Sequence, residues 1–171
     1  MIENFAFLKA IYLPTKNFVK KRFEIFFRQK ELVAEHDRIV FKKLSKIVNE
    51  GSINDLVDSL ITRRGFDRGD LKPLDEVLEF SEYVENEFLN QSIKRSFDDF
   101  VDKISGFRSH VSQVFFMVEE EGSNHYILYP ELKYDKPDVY YRAVRDMERL
   151  GLLVKSSFKN FRKEVKIHLV L

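Results

Sequence analysis

The sequence contains no cysteine and no tryptophan, and only 6 glycines and 4 prolines in 171 residues. Without cysteine there is no disulfide framework and no thiolate chemistry. With only His36, His110, His125 and His168 as histidines, a zinc site has little material. No glycine-rich run exists that could cradle a phosphate, and no Pro/Gly-rich tract that would serve as a flexible linker. No stretch reaches the roughly 18 uninterrupted apolar residues of a membrane span. The N-terminal stretch from Met1 to Leu13 carries Glu3 and Lys9 among apolar residues and lacks a basic leader and a small-residue cleavage site. The expectation is a cytoplasmic chain without signal peptide, membrane, metal or cofactor.

What the sequence does have is phenylalanine, 17 in all, and charge arranged in blocks. Residues 1–46 hold 11 Lys/Arg against 5 Asp/Glu, residues 47–124 hold 8 against 17, and residues 125–171 hold 10 against 6. The blocks are therefore +6, −9 and +4. Such an arrangement fits basic ends that bind a polyanion, blocks that neutralise one another, or ordinary solvated helix faces.

Periodicity reads as helix through the first two thirds. Pro14-Thr15 supplies a stop and a cap. After it, Val19, Phe23, Phe26, Val33, Val40, Leu44 and Ile47 fall on one line of alternating three- and four-residue steps, interrupted by Lys30 and Asp37. This predicts one helix of about 30 residues, or two in line, ended by Gly51. Ser52-Ile-Asn-Asp55 has a capping-box pattern, so a second helix is expected over 52–64 with Gly65 closing it. Residues 66–72 read as a loop, Pro73 as the first position of a third helix with Leu74, Val77, Leu78, Tyr83 (or Ser81), Val84 and Phe88 on its apolar side, and Asn90-Gln-Ser92 as a break. Ile93, Phe97, Phe100, Val101 and Ile104 then continue to Gly106. Residues 1–106 are expected to form a helical bundle. Phe5, Phe7 and the Phe23/Phe26/Phe27 cluster exceed what so small a bundle buries, which predicts a homodimer or protein-partner surface on the N-terminal helices.

Residues 107–171 read differently. A helix carrying Val111, Val114, Phe115 and Val118 ends at Gly122, His125-Tyr-Ile-Leu128 is β-prone, and 129–134 is a candidate short helix. Residues 138–150 form the next helix, with Val139, Ala143, Met147 and Leu150 toward the core and Arg142, Arg145 and Arg149 on the other side. Gly151 is expected to free the backbone to reverse, 152–154 to form a strand, and Val165, Ile167, Leu169 and Leu171 to alternate on a closing strand, leaving 155–163 as a wing.

Residues 138–155, and most specifically the run 147–153 (Met-Glu-Arg-Leu-Gly-Leu-Leu), resemble the recognition helix and first wing strand of winged helix-turn-helix domains. The resemblance implies a mainly α protein, α+β at its C-terminus, in which a helical bundle (1–106) precedes a winged-helix domain (107–171). It implies non-enzymatic binding of double-stranded DNA. Tyr141, Arg142, Arg145 and Arg149 would contact the groove, and Lys155, Lys159, Arg162 and Lys163 the backbone from the wing. A helical half placed ahead of the winged helix also resembles accessory subunits of chromosome-structuring ATPases and of anti-phage defence complexes, where the module grips a protein.

Enzymatic patterns are short and incomplete. Pro137-Asp138 followed by Glu164-Val-Lys166 has the residues of metal-dependent nucleases but lacks strands on which two acids and a lysine could converge. Arg162 and His168 have the spacing of a helical ribonuclease motif without its polar neighbour. His36-Asp37 resembles the pair of metal phosphohydrolases, yet no further ligands are spaced around it.

Overall fold

The computed structural model describes residues 3–117, 125–128 and 131–169, with side chains from Val19 onward. Among the described residues are six α-helices: α1 (Glu3–Ile47), α2 (Glu50–Arg63), α3 (Lys72–Glu82), α4 (Gln91–Val114), the single turn α5 (Leu132–Asp135) and α6 (Pro137–Leu169). Three short strands, β1 (Gly65–Asp67), β2 (Phe115–Met117) and β3 (His125–Leu128), form one antiparallel sheet in the order β1-β3-β2. The mainly α expectation holds, and the small sheet lies nearer the middle of the chain than was expected.

Helix α1 runs through Pro14, where an end was expected, forgoing the hydrogen bond that a proline N–H cannot donate. Its second half packs, with Val40, Leu44 and the following Val48 buried against α3 and α6. The next helix begins three residues earlier than the Ser52 pattern predicts. Asn49 is its cap: the Asn49 side chain accepts from Ser52 N at 3.0 Å and Ser52 Oγ accepts from Asn49 N at 3.0 Å, a reciprocal pair that satisfies two otherwise orphaned amides. Gly51 therefore lies inside α2 rather than before it. At the other end Arg64, not Gly65, takes the left-handed conformation, with φ 53°, and its guanidinium donates to Tyr140 Oη at 3.1 Å.

Part of the expected loop 66–72 is strand β1. It pairs with β3 in the register Gly65 to Ile127, Phe66 to Tyr126 and Asp67 to His125, and β3 pairs on its other edge with β2. A side chain at Gly65 would press on the His125 ring and the Tyr126 carbonyl, so glycine is needed where the strands close together. Phe115, expected on a helix, lies in β2, while Val118 and Gly122 lie outside the described residues.

Ile93, Phe97, Phe100 and Ile104 are buried along α4 as predicted, but α4 passes through Gly106 and adds Phe107 and Val111 to the same line. The expected boundary between 106 and 107 thus falls inside one continuous helix. The α3 helix is shorter than predicted: Leu74, Val77 and Phe80 are buried, whereas Tyr83 and Val84 are exposed beyond its end.

The largest departure is α6. Residues 155–163, expected as a β-wing, and the expected strands on either side are helical. The buried positions Tyr140, Ala143, Val144, Met147, Gly151, Val154, Phe158, Phe161, Val165 and Leu169 recur at three- and four-residue steps over the whole helix. Ile167, placed with Val165 and Leu169 by alternation, is exposed. Gly151 does not reverse the chain. It sits buried where α6 crosses α2, and a Cβ there would come within 2.6 Å of the fully buried Val57 Cγ1.

Glycine thus has opposite effects at two helical positions, which a paired substitution exposes. Gly151→Ala is expected to lower stability by about 1–2 kcal/mol, since overpacking outweighs the gain in helix propensity. Gly106→Ala, where an added Cβ meets nothing within 4 Å, is expected to raise it by about 0.5–1 kcal/mol. Chemical denaturation of both variants checks the signs.

Candidate functional site

Two exposed helix faces stand out. The first is the outer side of α6. At 100° per residue Arg142, Arg145, Arg149, Lys159, Lys163 and Lys166 fall within an arc of about 120°, and the stripe runs for about 36 Å. The predicted arginine line is present, and Lys166, which sequence reading left out, joins it. Among the described residues Arg142, Arg145, Lys159, Lys163 and Lys166 make no ion pair, while Arg149 meets Asp146 at 3.3 Å. Tyr141 is exposed beside them, its ring edge-on to that of Tyr140 at 5.4 Å. Leu152 and Ile167 also lie exposed in the stripe, so it is not purely basic.

Two of the predicted contacts turn inward instead. Lys155 Nζ meets Asp58 Oδ1 of α2 at 2.6 Å, and the Arg162 guanidinium lies 5.2 Å from the centre of the Phe41 ring on α1. Both tie α6 to its neighbours. The eight predicted residues are therefore not arranged as a helix and a wing; they lie along one helix.

The second face belongs to α1. Every residue from 19 to 32 is exposed, including Phe23 (59%), Phe26 (50%), Phe27 (60%) and Leu32 (64%). Phe26 and Phe27 contact each other edge to face, and Lys30 Nζ sits 4.6 Å from the centre of the Phe26 ring. The line of three- and four-residue steps that buries Val40 and Leu44 continues without a break in phase through Val33, Lys30, Phe26, Phe23 and Val19. From Lys30 back to Val19 this line is exposed, whereas Val33 is half-buried.

The outer face of α4 is mixed in charge, with exposed Arg95 beside its carboxylates. Asp98, Asp99 and Asp102 are exposed there, and the lysines among them are occupied: Lys94 by Glu87 at 2.8 Å and Lys103 by Asp102 at 2.9 Å. The hydrogen bond from Lys94 holds the Glu87 carboxyl below its ordinary range, and the same bond raises the Lys94 ammonium. Hydrogen bonds from Lys103 to Asp102 and Asp99 raise that ammonium likewise.

The residues considered for catalysis are spent locally or kept apart. Asp138 and Glu164 lie on the same helix about 39 Å apart, which no shared metal can span. Arg162 faces Phe41 whereas His168 lies 3.5 Å from Glu164. The ring of His36 donates to the Glu87 carbonyl at 3.0 Å, that of His110 to the Ala143 carbonyl at 3.0 Å, and His125 Nδ1 lies 2.8 Å from Asp67 Oδ1. No group of three or more His, Cys, Asp or Glu capable of holding a metal occurs among the described residues. No helix among them is long and apolar enough to cross a membrane. Comparison with protein-family models, with curated proteins and with solved structures returns no match.

Asp37, the second polar interruption of the α1 line, is fully buried and accepts from Leu89 N at 2.8 Å and Asn90 N at 2.9 Å. It holds the segment before α4 against α1. Asp37→Ala leaves the part-buried amides of Leu89 and Asn90 without their acceptor and is expected to cost about 2–4 kcal/mol. A thermal unfolding curve unchanged by this substitution would refute the structural role and return the His36-Asp37 pair to consideration as chemistry.

Proposed function

We propose that the protein is a non-catalytic accessory subunit that docks a partner protein through the exposed stretch of α1. The carrying observation is the run from Val19 to Leu32, in which every position is exposed while three phenylalanines and a leucine stand outward. Aromatic side chains arrayed on a protruding helix are costly to leave in water, and contiguous apolar patches on a monomer mark interaction sites.

The order of elements supports the same reading. From α2 to β3 the chain runs helix, strand, helix, helix and a strand pair, with β1 joined to β3 in an antiparallel sheet. That order resembles a winged helix-turn-helix, earlier in the chain than the sequence resemblance placed it. The element in the position of the recognition helix is α4, whose outer face carries Asp98, Asp99 and Asp102 beside Arg95. The carboxylates there repel phosphate, and such a face suits a protein partner of the kind accessory ATPase subunits grip.

Purification of the tagged chain from its native cells, beside Phe23→Asp/Phe26→Asp, tests this. A stoichiometric partner present with the wild type and lost with the double variant, at unchanged melting temperature, is expected. Identical sets of bound proteins would remove the reading.

A second reading keeps duplex DNA as a partner, on the one observation of unpaired cations along α6. Several phosphate contacts strengthen affinity by orders of magnitude as salt falls toward about 50 mM. Mixed-sequence duplex is then expected to bind in that range, and Arg142→Ala/Arg145→Ala to weaken it without changing stability. Absence of salt-dependent binding by the wild type disposes of this second partner.

A further inference from the structure

The exposed seam of α1 has a composition that selects its occupant. In a seven-residue repeat, Val19, Phe23, Phe26, Lys30 and Val33 occupy the two central positions, and Lys20, Arg22, Phe27 and Gln29 the positions flanking them. Seam and flanks together hold three cations, Lys20, Arg22 and Lys30, and no acid. Glu24 and Glu31 fall on the side turned away from the seam, where Glu24 lies 4.0 Å from Lys20. The lower half of the same seam is already closed by this chain through Val40, Leu44 and Asp37, so the upper half continues an interface that exists.

We infer that the upper seam of α1 receives an amphipathic helix of a partner protein whose flanking positions are acidic, extending the packing along α1. This rests on the accessory-subunit reading and specifies its partner. Partner carboxylates at the flanks would meet Lys20 and Arg22, and an acid among the partner's central residues would meet Lys30, whose ammonium lies over the Phe26 ring within the apolar line.

The same charges argue against two other occupants. A second copy in parallel register sets Lys30 against Lys30 at the centre of the seam, and like charges juxtaposed across an interface are unfavourable. A membrane surface accepts Lys and Arg on the flanks and polar side of a helix, and it is Lys30, in the centre of the apolar line, that opposes it here.

The test uses the full chain and two labelled synthetic helices of four heptads, each with leucine at the central positions, one flanked by glutamate and the other by lysine. Fluorescence anisotropy is expected to show the glutamate-flanked helix binding at least about ten-fold more tightly, with affinity falling as salt rises. Phe23→Asp should abolish binding, and Lys20→Glu/Lys30→Glu should reverse the preference. Equal binding of both helices, or none, overturns the inference. So does a two-chain mass by light scattering that Phe23→Asp halves, which makes a second copy the occupant. Co-sedimentation with vesicles of anionic lipid, lost in Phe23→Asp, overturns it in favour of a membrane. If native-cell purification still yields a partner sensitive to Phe23 and Phe26 while the peptide preference fails, only the acidic helix is lost. Failure of both removes the accessory-subunit reading as well.

Discussion

Phe161 is the residue on which the helices converge. Fully buried, it lies with its ring centre 5.4–6.4 Å from those of Phe41, Phe88, Phe97, Phe100 and Phe158. That one ring joins α1, the segment before α4, α4 itself and α6. The cluster is satisfied only if α6 is helical. In a strand, residues 158 and 161 point to opposite faces, whereas three residues apart on a helix they share one. The demand of these rings for a common core therefore fixes the conformation of the chain from Tyr140 to Leu169.

With α6 pinned by its inner face, its outer face is defined by subtraction. The cations that have partners nearby are drawn into the fold, as Lys155 is by Asp58 and Arg162 by Phe41. The outer stripe holds the rest, of which Arg149 alone has an ion-pair partner among the described residues, Asp146 of its own helix. The acidic middle block is divided the same way: some carboxylates hold lysines of their own helix, and Asp37, just ahead of that block, is withdrawn entirely to bind backbone amides. The near-neutral total thus conceals an uneven surface, with three exposed aspartates beside Arg95 on α4 and a predominantly basic stripe on α6.

What could be read from the sequence was whatever depends on local spacing. The buried line of α4, the arginine line of α6 and the seam of α1 all repeat over many turns, and each is where its period places it. The polar residue at position 37 was visible as an interruption, but its purpose depends on the amides of Leu89 and Asn90, which come two helices later in the chain. Strand β1 is too short to have a period of its own, and it exists because β3 offers an edge. The β-wing expected over 155–163 gives way to helix for a related reason: an alternating pattern after Lys163 and a glycine at 151 mask a helical spacing sustained from Tyr140 to Leu169. That glycine is small because α2 passes beside it, a tertiary demand indistinguishable in sequence from a turn signal.

The position of β1 in the sheet sets an order of assembly. Its neighbour β3 lies far downstream, with α3 and α4 between them. During synthesis α1, α2 and α3 emerge before the strand that completes β1 exists, and α6, which covers both α2 and α4, emerges later still. The apolar faces of the early helices therefore stay open until α6 has been made, and non-local closure of this kind is slow compared with helix formation. A nascent chain in that condition exposes the phenylalanines of α4 and α1 together, which makes the interval before α6 docks the period of greatest exposure to aggregation and to chaperones.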